Sequence, residues 1–255
     1  TARAFYECYQ LTSITLPESL TSIGDGAFDY CYKLAEVYNK SALPIQIGSD
    51  EYGAVGYYAK NLYTKQEGRS WFTDTADGYR FLYDGDKGYL LGYFGSQADL
   101  ALPEEFNAYN GAVVTEYEIY DYAFIGSDVE SVVLSGSVTR IGDRAFSESA
   151  LETIFIGNGV QKISNTAFIY CESLQTIAVA EGNSAYSSAG NCLIETASKI
   201  LLKGTNSSVI PAGGSVASIG YMAFSYCRGL TAVTIPDSVT SIASNAFYYC
   251  SALET

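Results

Sequence analysis

One unit recurs along most of this chain, and it limits the fold more than any other feature. Val233–Thr255, reading VTIPDSVTSIASNAFYYCSALET, carries a full copy. Its general form is L-x-x-I-x-I-P-x-S-V-x-x-I-x-x-x-A-F-x-x-C. The Ala-Phe step places Phe5, Phe28, Phe124, Phe146, Phe168, Phe224 and Phe247 in one series, with neighbouring copies 22 or 23 residues apart. A fixed period of this size is the mark of a solenoid, in which a single coil cannot bury its apolar face and stacking closes the core between neighbours.

Inside the unit, Leu11, Ile14 and Leu16 fit a short half-buried strand. Pro17 lacks an N–H and should end it. Equivalent steps are Leu34-x-x-Val37, Val129-x-x-Val132-x-Leu134, Leu151-x-x-Ile154-x-Ile156 and Leu174-x-x-Ile177-x-Val179. The repeat lapses from Lys40 to about Asp77. There, YGAVGYYAKNLY (52–63) should cover the open end of a first short array, with helical character near Tyr57 to Leu62, and KQEGRSWFTDTAD (65–77) reads as a linker. Tyr79 to Tyr93 reads as a hairpin about D-G-D-K-G. A related hairpin joins Cys192–Glu195 to Lys199–Gly204. Both lead to an apolar-Pro step and then to I-x-x-x-A-F, so the hairpin is a second form of the repeat. The expected division is 1–66, an N-terminal array with a Tyr-rich cap; 67–78, a linker; and 79–255, a hairpin with the longer C-terminal array.

Composition narrows the function. Hydrophobic residues make up 48% and charged residues 16%, enough apolar content for a continuous core. A net charge of -14 opposes binding to nucleic acid or to anionic lipid. The chain has no histidine, which removes the commonest general base and metal ligand. Serine and cysteine nucleophiles therefore lack their usual partner. No apolar run reaches the ~20 residues that span a bilayer. The chain opens and closes inside a repeat and carries no signal peptide, which reads as a segment of a longer protein.

Five of the six cysteines, Cys8, Cys31, Cys171, Cys227 and Cys250, stand three residues after a repeat Phe. Stacked coils bring Cys8 near Cys31 and Cys227 near Cys250, within bridging reach, so both free thiols and disulfides stay open. Periodicity favours small buried thiols. Tyr30, Tyr170, Tyr226 and Tyr249 precede that cysteine, as a lip shielding the coil edge or as a ligand-contacting stripe. Asp84-Gly85-Asp86-Lys87-Gly88 lacks the later Glu of a calcium loop and reads as a hairpin turn. No metal or cofactor is expected.

The recurring I-x-x-x-A-F-x-x-C-x-x-L-x-x-I-x-I-P-x-S-V resembles the BspA-like leucine-rich repeat family over roughly 1–39 and 100–255. Ser127 and Ser149 depart from it at the Cys position, and Gly157-Asn158-Gly159 replaces P-x-S. The resemblance implies a β-rich solenoid, a right-handed leucine-rich-repeat superhelix with short strands and few helices. It also implies a monomeric, non-enzymatic module at a bacterial cell surface, adhering to a protein or glycan. A purely structural spacer is the alternative. The binding face should be the concave strand surface, formed by Ser13, Thr15, Glu36, Tyr38, Ser131, Val133, Thr153, Phe155, Thr176 and Thr234. Tyr38 and Phe155 would be its aromatic anchors.

Overall fold

The computed structural model describes residues 2–63 and 72–255. They fall into two compact units, one within 1–71 with the turn 84–86, the other 72–83 with 87–255. Each unit is a β-solenoid with almost no helix.

In the first unit, each of three coils contributes one strand. Ser13–Leu16, Glu36–Asn39 and Asn61–Tyr63 pair in parallel, with Ser13 beside Glu36 and Glu36 beside Asn61. The first strand stops at the residue before Pro17. The Tyr-rich stretch is a third coil whose sequence has drifted from the repeat. Asn61–Tyr63 is a strand where helical character was expected, and a single 3-10 turn occupies Tyr52–Ala54. Gly53 is required there. Its φ is 65°, and a Cβ would lie 2.5 Å from the Gly24 carbonyl oxygen. Val55 of this coil joins Phe28, Leu34 and Val37 in the core. Of the linker expected over 67–78, residues 67–71 lie outside the described residues. Phe72–Asp74 forms a strand antiparallel to Tyr79–Tyr83.

The second unit builds each regular coil from a front strand, a back strand and a turn. The front sheet runs Thr176–Val179, Thr153–Ile156, Ser131–Val133, Asp99–Ala101, all parallel. The back sheet stacks Lys162–Ile163, Val138–Ile141 and Tyr117–Ile119 onto the hairpin Tyr79–Tyr83/Gly88–Tyr93. The second hairpin works the same way: Ile200–Lys203 pairs antiparallel with Cys192–Glu195 and parallel with Ser218–Ile219. Each hairpin thus supplies a back strand in register with the regular coils. The front sheet ends at Thr176–Val179. Two of that edge strand's N–H groups, of Ile177 and Val179, donate to Asn191 Oδ1 (3.2 Å), in the turn after the strand Tyr186–Ala189, and to Ser188 Oγ (3.0 Å) within it. That strand pairs with Cys192–Glu195 and covers the edge.

The turns carry the Ala-Phe step and form a hydrogen-bonded ladder of their own. The Phe N–H donates to the backbone of the next coil, to an alanine carbonyl for Phe5 (Ala27, 2.7 Å), Phe124 (Ala145, 2.7 Å), Phe146 (Ala167, 2.9 Å) and Phe224 (Ala246, 2.7 Å), and to the Gly53 carbonyl for Phe28 (2.7 Å). The rings then stack nearly flat. Centroid separations are 4.8 Å for Phe5–Phe28, 4.9 Å for Phe124–Phe146, 5.6 Å for Phe146–Phe168 and 5.0 Å for Phe224–Phe247. Within the second unit the stack breaks once. In the second hairpin coil, the N–H of Gly204 makes the bond that Phe makes elsewhere, to Ala223 at 2.9 Å. A Cβ on Gly204 would sit 2.1 Å from the Phe224 ring, which lies over the glycine in place of a partner ring.

The cysteines extend the same ladder. Cys31 Sγ donates to the Phe5 carbonyl (3.0 Å), Cys171 to Phe146 (2.9 Å) and Cys250 to Phe224 (3.0 Å), and Cys227 reaches Gly204 at 3.6 Å. All six cysteines are free thiols. The position asks for a small buried donor to the preceding coil. Ser149, one of the departures from the repeat, turns its hydroxyl to the carbonyl of its own Phe146 instead, at 2.6 Å. Gly157-Asn158-Gly159 is a necessity of packing, since a Cβ on Gly159 would fall 1.8 Å from the Gly136 carbonyl oxygen. Two adjacent coils touch backbone to backbone there.

Phe146→Ala is expected to cost about 3–5 kcal/mol, since its ring is fully buried between two others. Gly159→Ala should destabilise by about 1–3 kcal/mol through overpacking against backbone. Urea unfolding followed by circular dichroism measures both. Burial pushes the thiols of Cys31, Cys171, Cys192 and Cys227 up to about 11 from 9.0. Their contribution to stability should therefore be full below pH 9 and fall away as pH rises from 9 through 11. Thiol titration with a disulfide reagent at pH 8 should leave these four unmodified until the protein unfolds.

Candidate binding surfaces

Parallel pairing lines up equivalent side chains across a sheet, so a binding face is read as rows. On the front sheet of the second unit, Asp99, Ser131, Thr153 and Thr176 form one outward row and Ala101, Val133, Phe155 and Ala178 the next. The inward row between them, Leu100, Val132, Ile154 and Ile177, is buried. Val133 is 45% exposed and Phe155 37%, side by side at the centre of the apolar row. Five expected contact residues, Ser131, Val133, Thr153, Phe155 and Thr176, thus come together on one surface. Asp99 and Ala101 belong to it as well. Their strand escaped the sequence reading, although Leu100-x-Leu102-Pro103 keeps the I-x-I-P signature.

The remaining expected residues do not join this surface. Ser13 and Thr15 lie on the first strand of the first unit, with Thr15 exposed. Glu36, placed outward by the alternation, has 0% exposure and cannot contact a partner directly. Its Oε2 accepts a hydrogen bond from the Tyr38 hydroxyl at 2.8 Å. Tyr38 in turn stacks on Tyr63, with centroids 4.9 Å apart. Burial first, and then the hydrogen bond to Glu36 and its charge, push the Tyr38 phenol well above its ordinary value. Tyr38 is therefore a half-buried member of a polar–aromatic cluster. Thr234 is exposed but stands outside any strand.

Tyrosines collect on the turn side of both units. Tyr30 meets Tyr6 (5.2 Å) and Tyr32 (5.8 Å), and Tyr226 meets Tyr170 (4.8 Å) and Tyr249 (5.1 Å). The residue two after Phe holds a left-handed backbone in all seven turns, at Glu7, Tyr30, Gly126, Glu148, Tyr170, Tyr226 and Tyr249. Non-glycine side chains bear that conformation at some cost. The shared φ gives all seven turns the same backbone bend at this position. The D-G-D-K-G motif is a turn whose Asp84 carboxylate accepts from the Asp86 N–H at 2.9 Å. Among the described residues, no three His, Cys, Asp or Glu side chains converge as metal ligands, and no helix is long and apolar enough to cross a membrane.

Among solved structures, the chain is similar to a leucine-rich repeat protein from Eubacterium ventriosum, at 19% identity and a TM-score of 0.48, covering 93% of this chain and 51% of that one. The chain thus spans about half the length of that protein. It is also similar to a Treponema pallidum (T. pallidum) leucine rich repeat protein, at 27% identity, a TM-score of 0.40 and coverage of 71% and 69%. A leucine rich cell surface protein from Faecalibacterium prausnitzii is 19% identical, with a TM-score of 0.35 and coverage of 74% and 76%. No curated protein matches the sequence. Residues 1–50 and 203–255 match the BspA type leucine rich repeat region, in six copies. Both matched stretches hold stacked Phe rings and turns bonded coil to coil, and the same ladder recurs at Phe124, Phe146 and Phe168 between them, so the chain is similar to BspA type leucine rich repeats over 1–50 and 203–255.

Proposed function

We propose that this chain is a non-enzymatic binding module of a bacterial surface protein, holding a protein partner through the front sheet of its second unit. One observation carries the reading. Val133 and Phe155 stand exposed at the centre of a flat row completed by Ala101 and Ala178, with a polar row beside it. An aromatic anchor among small residues, rimmed by polar groups, is the make-up of a protein-contact hot spot. Repeat proteins use their extended strand surfaces in this way. The extracellular setting rests on the BspA-type repeats, and the net charge of -14 keeps nucleic acid away.

The test is a binding screen against purified extracellular matrix proteins and a glycan array. The expected result is saturable binding to a matrix protein that weakens about tenfold or more in Phe155→Ala, with the melting temperature held because the ring is partly exposed. Tyr38→Ala is a poorer probe, since it also breaks the hydrogen bond to Glu36 and the stack on Tyr63. Binding that survives Phe155→Ala rejects this face. Binding to glycans alone changes the ligand class, and no binding at all leaves the spacer role.

A further inference from the structure

The turn side of the second unit opens into a cleft of about 480 Å³ lined by Glu148, Ser149, Tyr170, Glu172 and Tyr226. Three of these, Glu148, Tyr170 and Tyr226, stand two residues after a ladder Phe and share the left-handed backbone, with φ of 58°, 61° and 61°. The cleft lies where the ladder misses a rung. Between Phe168 and Phe224 the chain takes the hairpin form, and Gly204 stands in the place of Phe. Across that gap, Tyr170 and Tyr226 meet at 88° with centroids 4.8 Å apart, making two walls of a box. Glu172 and Arg228 span it too, at 3.1 Å, and the Arg228 guanidinium lies 5.3 Å from the centre of the Tyr226 ring.

The chain's own arginine thus shows what this corner accepts: a guanidinium against a tyrosine face, paired with a carboxylate. Glu148, on the other side of the cleft, has no ion-pair partner among the described residues. The surrounding molecule is strongly acidic, which draws cations toward it. We propose that the Tyr170–Tyr226 cleft receives an arginine side chain of a polypeptide partner, the guanidinium lying on Tyr170 and pairing with Glu148. This surface is separate from the front sheet, and a partner could use either without the other.

Fluorescence polarisation with a labelled Gly-Arg-Gly-Arg-Gly peptide, against the same peptide carrying citrulline for arginine, tests it on the full chain. The arginine peptide should bind saturably and the neutral one about tenfold more weakly. Glu148→Gln and Tyr170→Leu should each weaken binding about fivefold, while Tyr170→Phe, which keeps the ring, should not. Phe155→Ala on the front sheet should leave peptide binding unchanged, so failure here and failure of the front-sheet reading stay distinguishable. Glu148 is exposed and outside the core, so Glu148→Gln stays folded if Tyr170→Leu does not. Absence of saturable binding, equal binding of the two peptides, or an equal loss in the distant Asp237→Asn would overturn the assignment, the last by reducing it to bulk charge.

Discussion

The structure depends on a single repeated rung: a phenylalanine N–H bonded to an alanine carbonyl one coil away, with the rings stacked beneath it. Neither half suffices. The stack alone would slide, because flat aromatic faces set no register. The hydrogen bond alone would gain little, since water competes for the same groups. Together they fix the coil spacing at about 5 Å, the separation at which parallel strands also bond. The small alanine is part of the device. Any larger residue would hold the next turn away and stretch the bond that its own carbonyl accepts.

The same rung explains the irregularities. Where a ring is missing, at Gly204, the following Phe224 lies over the bare backbone and the ladder continues. Where Pro-x-Ser is missing, at Gly157-Asn158-Gly159, the coils approach so closely that side chains are excluded. Four thiols obey it too: Cys31, Cys171 and Cys250 donate to the carbonyl of the preceding coil's Phe, and Cys227 to that of its equivalent, Gly204. Burial raises their deprotonation beyond ordinary pH, which keeps them chemically inert and makes them structural donors.

The front sheet and the tyrosine cleft differ in how far they could be read from residues alone. Val133 and Phe155 follow from strand alternation, so the apolar row was visible once the strand steps were aligned. The burial of Glu36 was not, because alternation gives only the side of the sheet on which a residue stands and says nothing about what covers that side. The third coil of the first unit was hidden by drift: Asn61-Leu62-Tyr63 keeps one apolar residue of the strand signature and loses the Ala-Phe step altogether. The cleft was less visible still. Tyr170 and Tyr226 stand 56 residues apart, in coils with the hairpin coil between them in sequence, and only the folded chain brings their rings together.

The sequence by itself determined the period, the stacked phenylalanines, the two hairpins and the likeness of 1–50 and 203–255 to BspA type repeats. Each of these is local or periodic, set by the spacing of apolar, small and proline residues within one coil. Only the tertiary structure decided which backbones touch, which polar groups are covered and where the ladder opens. Those outcomes depend on how one coil's surface fits the next, and in a solenoid that fit is a property of pairs of coils that no single repeat contains.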